Sequence, residues 1–275
     1  MIRLGSVPAM VDLDAAIGFV VAHGDPVDRA RLSWLRSGAV PPPEVFEKVE
    51  MGQTRDCGWP AFWAGDVASV DATCFRLGEL DDLGGLDRPP ARRALAWLAG
   101  RQRPDGMWEE DESLKDVAPP WAQPGDPEAR LFLTSNAAFW LVVGGLPARP
   151  EENEHAMLIA RAAEAFRAEQ RPDGSWPSFL ATGWLGGALL YHLGWFYEAA
   201  QIQVLLTDRV PEMSPADCAW MGAAFRRVGI SADDWVMTAV RRRLGETQRH
   251  DGGWPSDDGD AFDVHATLTA IRALR

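Results

Sequence analysis

The sequence predicts an all-α protein of the (α/α)6-type toroid class, in which inner and outer helices alternate along the chain. Three observations predict it. A seven-residue phrase recurs four times, each copy follows an amphipathic helical pattern, and each copy precedes a helical pattern that is apolar on nearly every side. The copies run Gln53 to Trp59, Gln102 to Trp108, Gln170 to Trp176 and Gln248 to Trp254, and all keep Gln, Asp and Trp at the first, fourth and seventh places.

The elements follow in order. Met10 to Ala22 reads as a first inner helix and Val27 to Gly52 as an outer segment. Outer helices over Arg88 to Arg101, Glu151 to Glu169 and Ser231 to Thr247 are charged on one face and apolar on the other, as at Leu95 and Leu98. Breakers such as Pro104 and Gly106 stop them. Beyond each phrase Ser69, Thr134, Thr182 and Asp263 stand where an N-cap is needed, since their oxygens accept orphan amide hydrogens. The helices they open, with apolar stretches at Ala137 to Val143, Gly183 to Leu193 and Ala266 to Leu274, are apolar all round and therefore buried. A further pair, Tyr197 to Leu206 and Pro215 to Val228, lacks the phrase, which brings the count to six inner and about five outer helices. Glycines within the inner helices, Gly78, Gly144, Gly186 and Gly222 among them, point to close packing or an open lumen. From Glu109 to Arg130 a loop is expected, acidic and then Pro-rich, with Glu109 to Glu112 a solvated charge run.

At 275 residues with 47% hydrophobic side chains and 13 Trp, the chain reads as a single domain over residues 1–275. A formal charge of −13 speaks against a nucleic-acid partner, which needs clustered cations. Three cysteines, Cys57, Cys74 and Cys218, and no secretory leader imply a cytoplasmic setting. The longest apolar stretch, Gly183 to Phe196, is interrupted by Tyr191 and His192 and is too short for a transmembrane segment.

The run Arg93-Ala94, Trp97-Leu98, Gln102 and Gly106-Met107-Trp108 resembles the QW motif of squalene–hopene and oxidosqualene cyclases. The inner and outer alternation resembles that family's barrel and the β subunits of protein prenyltransferases, over residues ~10 to 275. The resemblance implies a structural role for the repeated Gln and Trp, which in that family cap and stack helix ends.

Alignment of the inner-helix starts within this sequence puts Asp14, Asp71, Asn136, Trp184, Cys218 and His265 at equivalent places, which predicts a ring at one mouth of the lumen. The family's acid motif is Asp-x-Asp-Asp followed by Thr. Ser69-Val70-Asp71-Ala72-Thr73 keeps its middle Asp and its Thr; Asp12-Leu13-Asp14-Ala15-Ala16 keeps only its first two Asp. The resemblance thus implies a class II-like terpenoid cyclase or isomerase acting on a hydrophobic isoprenoid or polyene, with no cofactor. Asp71 is the expected proton donor, His265 its orienting partner and Asp14 the reserve carboxylate. Trp140, Trp184, Trp220, Tyr191 and Phe225 would line the pocket with Asn136 and Cys218, their aromatic faces stabilising positive charge. At the start of a helix, however, the local dipole favours an ionised Asp71, and a plain capping role stays open.

Two other readings stand beside this one. A zinc-dependent prenyltransferase-like enzyme would use Cys218 and His265 with Asp217 adjoining, although Asp217-Cys218 departs from that family's Asp-x-Cys. The acidic loop Asp257-Asp258-Gly259-Asp260 would hold Mg2+ if the substrate is a diphosphate, or is simply solvated. The third reading is a non-catalytic barrel for an apolar ligand, its wall completed by a partner subunit or, in a homodimer, by a second copy.

Overall fold

The computed structural model describes residues 10–61 and 65–275. The opening residues, to which the expectation of no secretory leader refers, lie outside the described residues. The chain is all-α, with a two-residue ladder, Trp59–Pro60 against Ala68–Ser69, as its strand pairing among the described residues. Its first six helices are α1 (Leu13–His23), α2 (Pro26–Ser37), α3 (Pro43–Glu50), α4 (Val70–Asp81), α5 (Pro89–Gly100) and α6 (Pro127–Gly145). Then come α7 (Ala156–Glu169), α8 (Leu180–His192), α9 (Phe196–Arg209), α10 (Pro215–Arg227), α11 (Trp235–Thr247) and α12 (Asp263–Leu274). No helix among the described residues is long and apolar enough to cross a membrane.

The repeated phrase is a structural clasp. In all four copies the backbone N–H at the second place bonds the carbonyl at the sixth, from Thr54, Arg103, Arg171 and Arg249 to Gly58, Met107, Ser175 and Gly253. The Gln amide closes the same loop by donating to the fifth carbonyl, of Cys57, Gly106, Gly174 or Gly252. In three copies the Asp oxygen accepts the amide two residues on, an Asx turn. The fifth place is left-handed throughout, with φ of 87°, 84° and 90° at Gly106, Gly174 and Gly252, and of 79° at Cys57, where the drifted copy lacks its Gly. The indoles of Trp108 and Trp254 are fully buried, and their Nε1 groups donate to the last-turn carbonyls of Leu98 in α5 and Leu244 in α11.

The helices form two compact units, whose boundaries fall within α2 and α9: Ser33–Leu205, and Leu206–Arg275 together with the chain up to Leu32. In the first, α4 packs on α6 and α6 on α8, with α5 and α7 laid against α6. The closeness needs small residues. A Cβ on Gly186 of α8 would lie 2.4 Å from the Phe166 ring of α7, so no side chain fits there. In the second unit α10 packs on α12 and α12 on α1, with α11 against α10. There Gln248 both donates to the carbonyl and accepts the amide of Asp12, tying the last copy of the clasp to the N-cap of α1.

Several boundaries differ from expectation for identifiable reasons. α6 opens seven residues before Thr134, at Pro127, because Asp126 caps it and Pro supplies the first turn. Thr134 is thus buried in the helix body, and the loop from Glu109 is shorter and carries 3-10 turns at Glu112–Leu114 and Pro120–Ala122. Thr182 lies inside α8, whose N-cap is Phe179, and Asp263 is the first residue of α12. The Val27 to Gly52 segment divides into α2 and α3 at the Pro run 41–43. Ser69 does cap α4, accepting the Ala72 amide.

Candidate functional site

Within the unit Ser33–Leu205, the first turn of α4 carries the densest chemistry. Asp71 is half-buried, and the protein packed around its carboxyl desolvates it. That desolvation lifts its proton affinity to about pH 6, against a weaker opposing pull from the Trp121 indole. Trp121 Nε1 donates to Asp71 Oδ2 at 3.1 Å from the 3-10 turn Pro120–Ala122.

Behind Asp71 stands Glu110, which is 5% exposed and so overturns the expectation of a solvated run over Glu109 to Glu112. Its Oε1 accepts from Ser69 Oγ at 2.7 Å and from the Asp71 amide at 3.0 Å, while Oε2 accepts the Val70 amide at 2.8 Å. The carboxyl thus takes up hydrogens at the positive end of α4 that the helix cannot satisfy itself. Burial pushes Glu110 upward as well, its three donors pull the other way, and a charge on either carboxyl disfavours one on the other. The two therefore titrate as a pair, over about 6 to 7. One turn along, the buried Cys74 thiol is pushed well above its ordinary range by burial and by both carboxyls.

Glu110 also lines a polar cleft of about 320 Å3, together with Arg101, Arg103, Glu109, Asp111 and Glu112. Here Arg103 pairs with Glu109 at 2.7 Å and Arg101 with Asp111 at 3.7 Å. Further along α4, Gly78 shares the helical stripe of Asp71 and Cys74 and faces Trp140 of α6, where a Cβ would stand 3.2 Å from Cζ2 of the indole. Asn136 is buried two turns into α6, and Trp184 is fully buried on α8. Tyr191 meets Phe196 edge-on at 5.3 Å.

The other unit holds the remaining expected residues. Asp14 is exposed in the first turn of α1, whose cap is the Asp12 carboxylate. Cys218 is fully buried, its thiol directed at the Val240 carbonyl at 3.8 Å and pushed by burial to about 12. Trp220 is partly exposed on α10, and Phe225 is fully buried. His265 Nδ1 lies 3.2 Å from both terminal nitrogens of the buried Arg31 guanidinium. Because a guanidinium only donates, that nitrogen accepts and the ring proton sits on Nε2.

The residues do not fit zinc. The Cys218 thiol holds its proton, His265 Nδ1 faces a cation, and among the described residues no three His, Cys, Asp or Glu side chains converge on a metal position. Asp257, Asp258 and Asp260 are exposed, and the first two lie close enough to Asp217 to raise its proton affinity on top of burial.

Glu110 and Trp121 were not visible as site residues in the sequence. One signal existed for Glu110: the residue two places after the repeated Trp meets a helix start in three copies. Glu110 does so at α4, Ser178 at Thr182 of α8 and Ser256 at Asp263 of α12.

No protein-family model matches the chain, and no curated protein matches it in sequence. Solved structures do. A variant of the type II terpene cyclase MstE from Scytonema, in complex with merosterolic acid A as product, superposes with a TM-score of 0.62 at 16% identity, covering 95% of this chain and 94% of that one. Another variant of that cyclase, in complex with geranylgeranyl dihydroxybenzoate as substrate, gives 0.61 at 16% identity and 95% coverage of each chain. A protein from Actinoplanes gives 0.58 at 20% identity, covering 95% of this chain and 87% of its own. The likeness shows a shared all-α fold.

Proposed function

We infer that the protein is a class II-like terpenoid cyclase or isomerase, in which Asp71 starts the cyclisation of an isoprenoid chain by protonating a terminal alkene. The observation that carries this reading is the Asp71 carboxyl at the start of α4, half-buried and held by the Trp121 indole, with burial raising its proton affinity. An alkene is a very weak base, so the donor has to be neutral and desolvated before it delivers its proton. A donor to Oδ2, here the Trp121 indole, stabilises the carboxylate left behind and so strengthens the acid when it acts. In the step, the carboxyl O–H bond breaks and a C–H bond forms at the alkene terminus. The cation then closes rings and finally loses a proton, so that product and substrate are isomers. The likeness to a cyclase solved with a geranylgeranyl-bearing aromatic acid supports a hydrophobic prenylated substrate of that kind.

The test is incubation in heavy water with geranylgeranyl dihydroxybenzoate and with plain linear polyprenols, with products read by mass spectrometry. A cyclic product one deuterium heavier than the substrate, formed by the natural protein and lost in Asp71→Asn, is the expected result. Cyclisation that survives in Asp71→Asn, or that proceeds without deuterium at the initiating carbon, overturns the assignment.

A further inference from the structure

We propose that Glu110 is the positioning residue of the acid: by taking the amide hydrogens at the start of α4 as an anion, it leaves Asp71 the carboxyl of the pair that keeps its proton. The inference rests on the cyclase reading for its purpose, although the placement of the proton is a property of the free protein.

The hydrogen-bond pattern distinguishes the two carboxyls. Both oxygens of Glu110 are acceptors, and each takes a backbone amide, a donor by necessity: Val70 on Oε2 and Asp71 on Oε1. The Ser69 hydroxyl, which accepts the Ala72 amide, adds its own hydrogen to Oε1. A proton on Glu110 would face these donors; an anion satisfies them all. Asp71 differs. Its Oδ2 accepts from Trp121, which leaves Oδ1 as the place for the proton.

The geometry also removes the difficulty that a helix start poses for an acid. The positive end of α4 would ionise an Asp in its first turn, but its unpaired amides at Val70 and Asp71 are bound to Glu110 instead. The anion so fixed stands next to Asp71 and disfavours a second negative charge there. Nearby groups do not cancel it. Cys74 on α4 is a neutral thiol, Arg101 at the end of α5 pairs with Asp111, and Arg103 pairs with Glu109. Glu110 itself makes no ion pair among the described residues. A carboxylate from a distant loop thereby stands beside the Asp of Ser69-Val70-Asp71-Ala72, whose neighbours in sequence carry none.

The test is nuclear magnetic resonance titration of the full chain, without substrate, isotope-labelled at the Asp and Glu carboxyl carbons. Asp71→Asn identifies the Asp71 signal by its loss, and Glu110→Asp identifies that of Glu110. On raising the pH of the natural protein, Glu110 is expected to ionise first and Asp71 last. In Glu110→Gln the Asp71 midpoint is expected to fall by about one pH unit or more, and Glu110→Asp, which keeps the charge, to restore part of that fall. Glu110 holding its proton to higher pH than Asp71, or an unmoved Asp71 midpoint in Glu110→Gln, overturns the proposal. The order in the natural protein is decisive even if Glu110→Gln does not fold. Since no turnover is involved, this failure is separate from failure of the cyclase reading, which Asp71→Asn reads in heavy water.

Discussion

Trp108 donates its amide hydrogen to the Thr134 hydroxyl, 3.0 Å away, and Thr134 passes its own hydrogen to the Arg130 carbonyl at 2.8 Å. Trp59 and Trp254 make the same bond to Thr73 and Thr267, at 2.9 Å and 3.1 Å. Each Thr therefore joins a clasp to the buried helix that follows it, and each bond lies where water cannot replace it. Thr134→Val keeps the shape and deletes the acceptor, leaving the Trp108 amide unpaired. The expected loss is about 1–3 kcal/mol of stability by denaturant unfolding, with Thr134→Ser close to the natural protein. A Thr134→Val protein as stable as the natural one would mean that the clasp finds another acceptor.

The drifted first copy of the clasp gives an opposite prediction. Cys57 adopts the left-handed conformation that Gly takes in the other copies, at φ 79°. A non-glycine residue there is strained by about 1–2 kcal/mol, partly offset by the greater freedom of Gly in the unfolded chain. Cys57→Gly is expected to stabilise the fold by about 0.5–1 kcal/mol, read as a higher unfolding midpoint. Gly174→Ala is expected to act the other way, since its φ is 84° and its Cβ would come within 2.9 Å of Gln201.

The fold was legible because its signals are local and repeated. Gln, Asp and Trp at fixed spacing close a turn with bonds inside seven residues, and apolar runs such as 183–190 have no polar face to turn outward. Ser69 was legible as a cap for the same reason. The start of α6 was hidden because the Thr aligned to Ser69 plays another role, accepting a Trp amide from within the helix. Asp71 stood out by its place at a helix start and by the resemblance, but its environment did not. Glu110 and Trp121 reach it from 39 and 50 residues away, and an acidic run around Glu110 looks in sequence like any solvated one. Burial of one Glu among four acidic residues is a tertiary property without local periodicity.

The pair of carboxyls makes stability depend on pH in a stated direction. Their ordinary values of 3.8 and 4.5 are raised on folding to apparent values of about 6 and about 7 for the pair, by burial first. Between those limits the native state binds more protons than the unfolded chain, so stability is full below about pH 4 and declines as pH rises through 6 to 7. A shift of about two units corresponds to about 3 kcal/mol for each of the two protons. Unfolding free energy measured from pH 4 to pH 8 is expected to show this decline, and Asp71→Asn to flatten it. An equally steep decline in Asp71→Asn would assign the lost proton elsewhere.

If Asp71 starts a cyclisation as proposed, Trp140 is the expected aromatic partner of the cation. Asp71, Cys74 and Gly78 occupy one stripe of α4, and the seven-residue rise from Asp71 to Gly78 is about 10 Å. There the absence of a side chain lets the Trp140 ring approach, 3.2 Å from the position of a Cβ. A cation formed at Asp71 and moved along an isoprenoid chain by ring closure would reach such a face, worth about 1–2 kcal/mol when desolvated. Trp140→Ala would confound the measurement by opening a cavity, because the side chain is 7% exposed. Trp140→Phe keeps a smaller aromatic face, and is expected to slow turnover roughly tenfold and to shift products toward fewer rings. Gly78→Val, which displaces the ring without touching the acid, is expected to alter the product ratio and leave the Asp71 titration in place. Unchanged rates and products in both variants would remove Trp140 from the reaction and return it to the core.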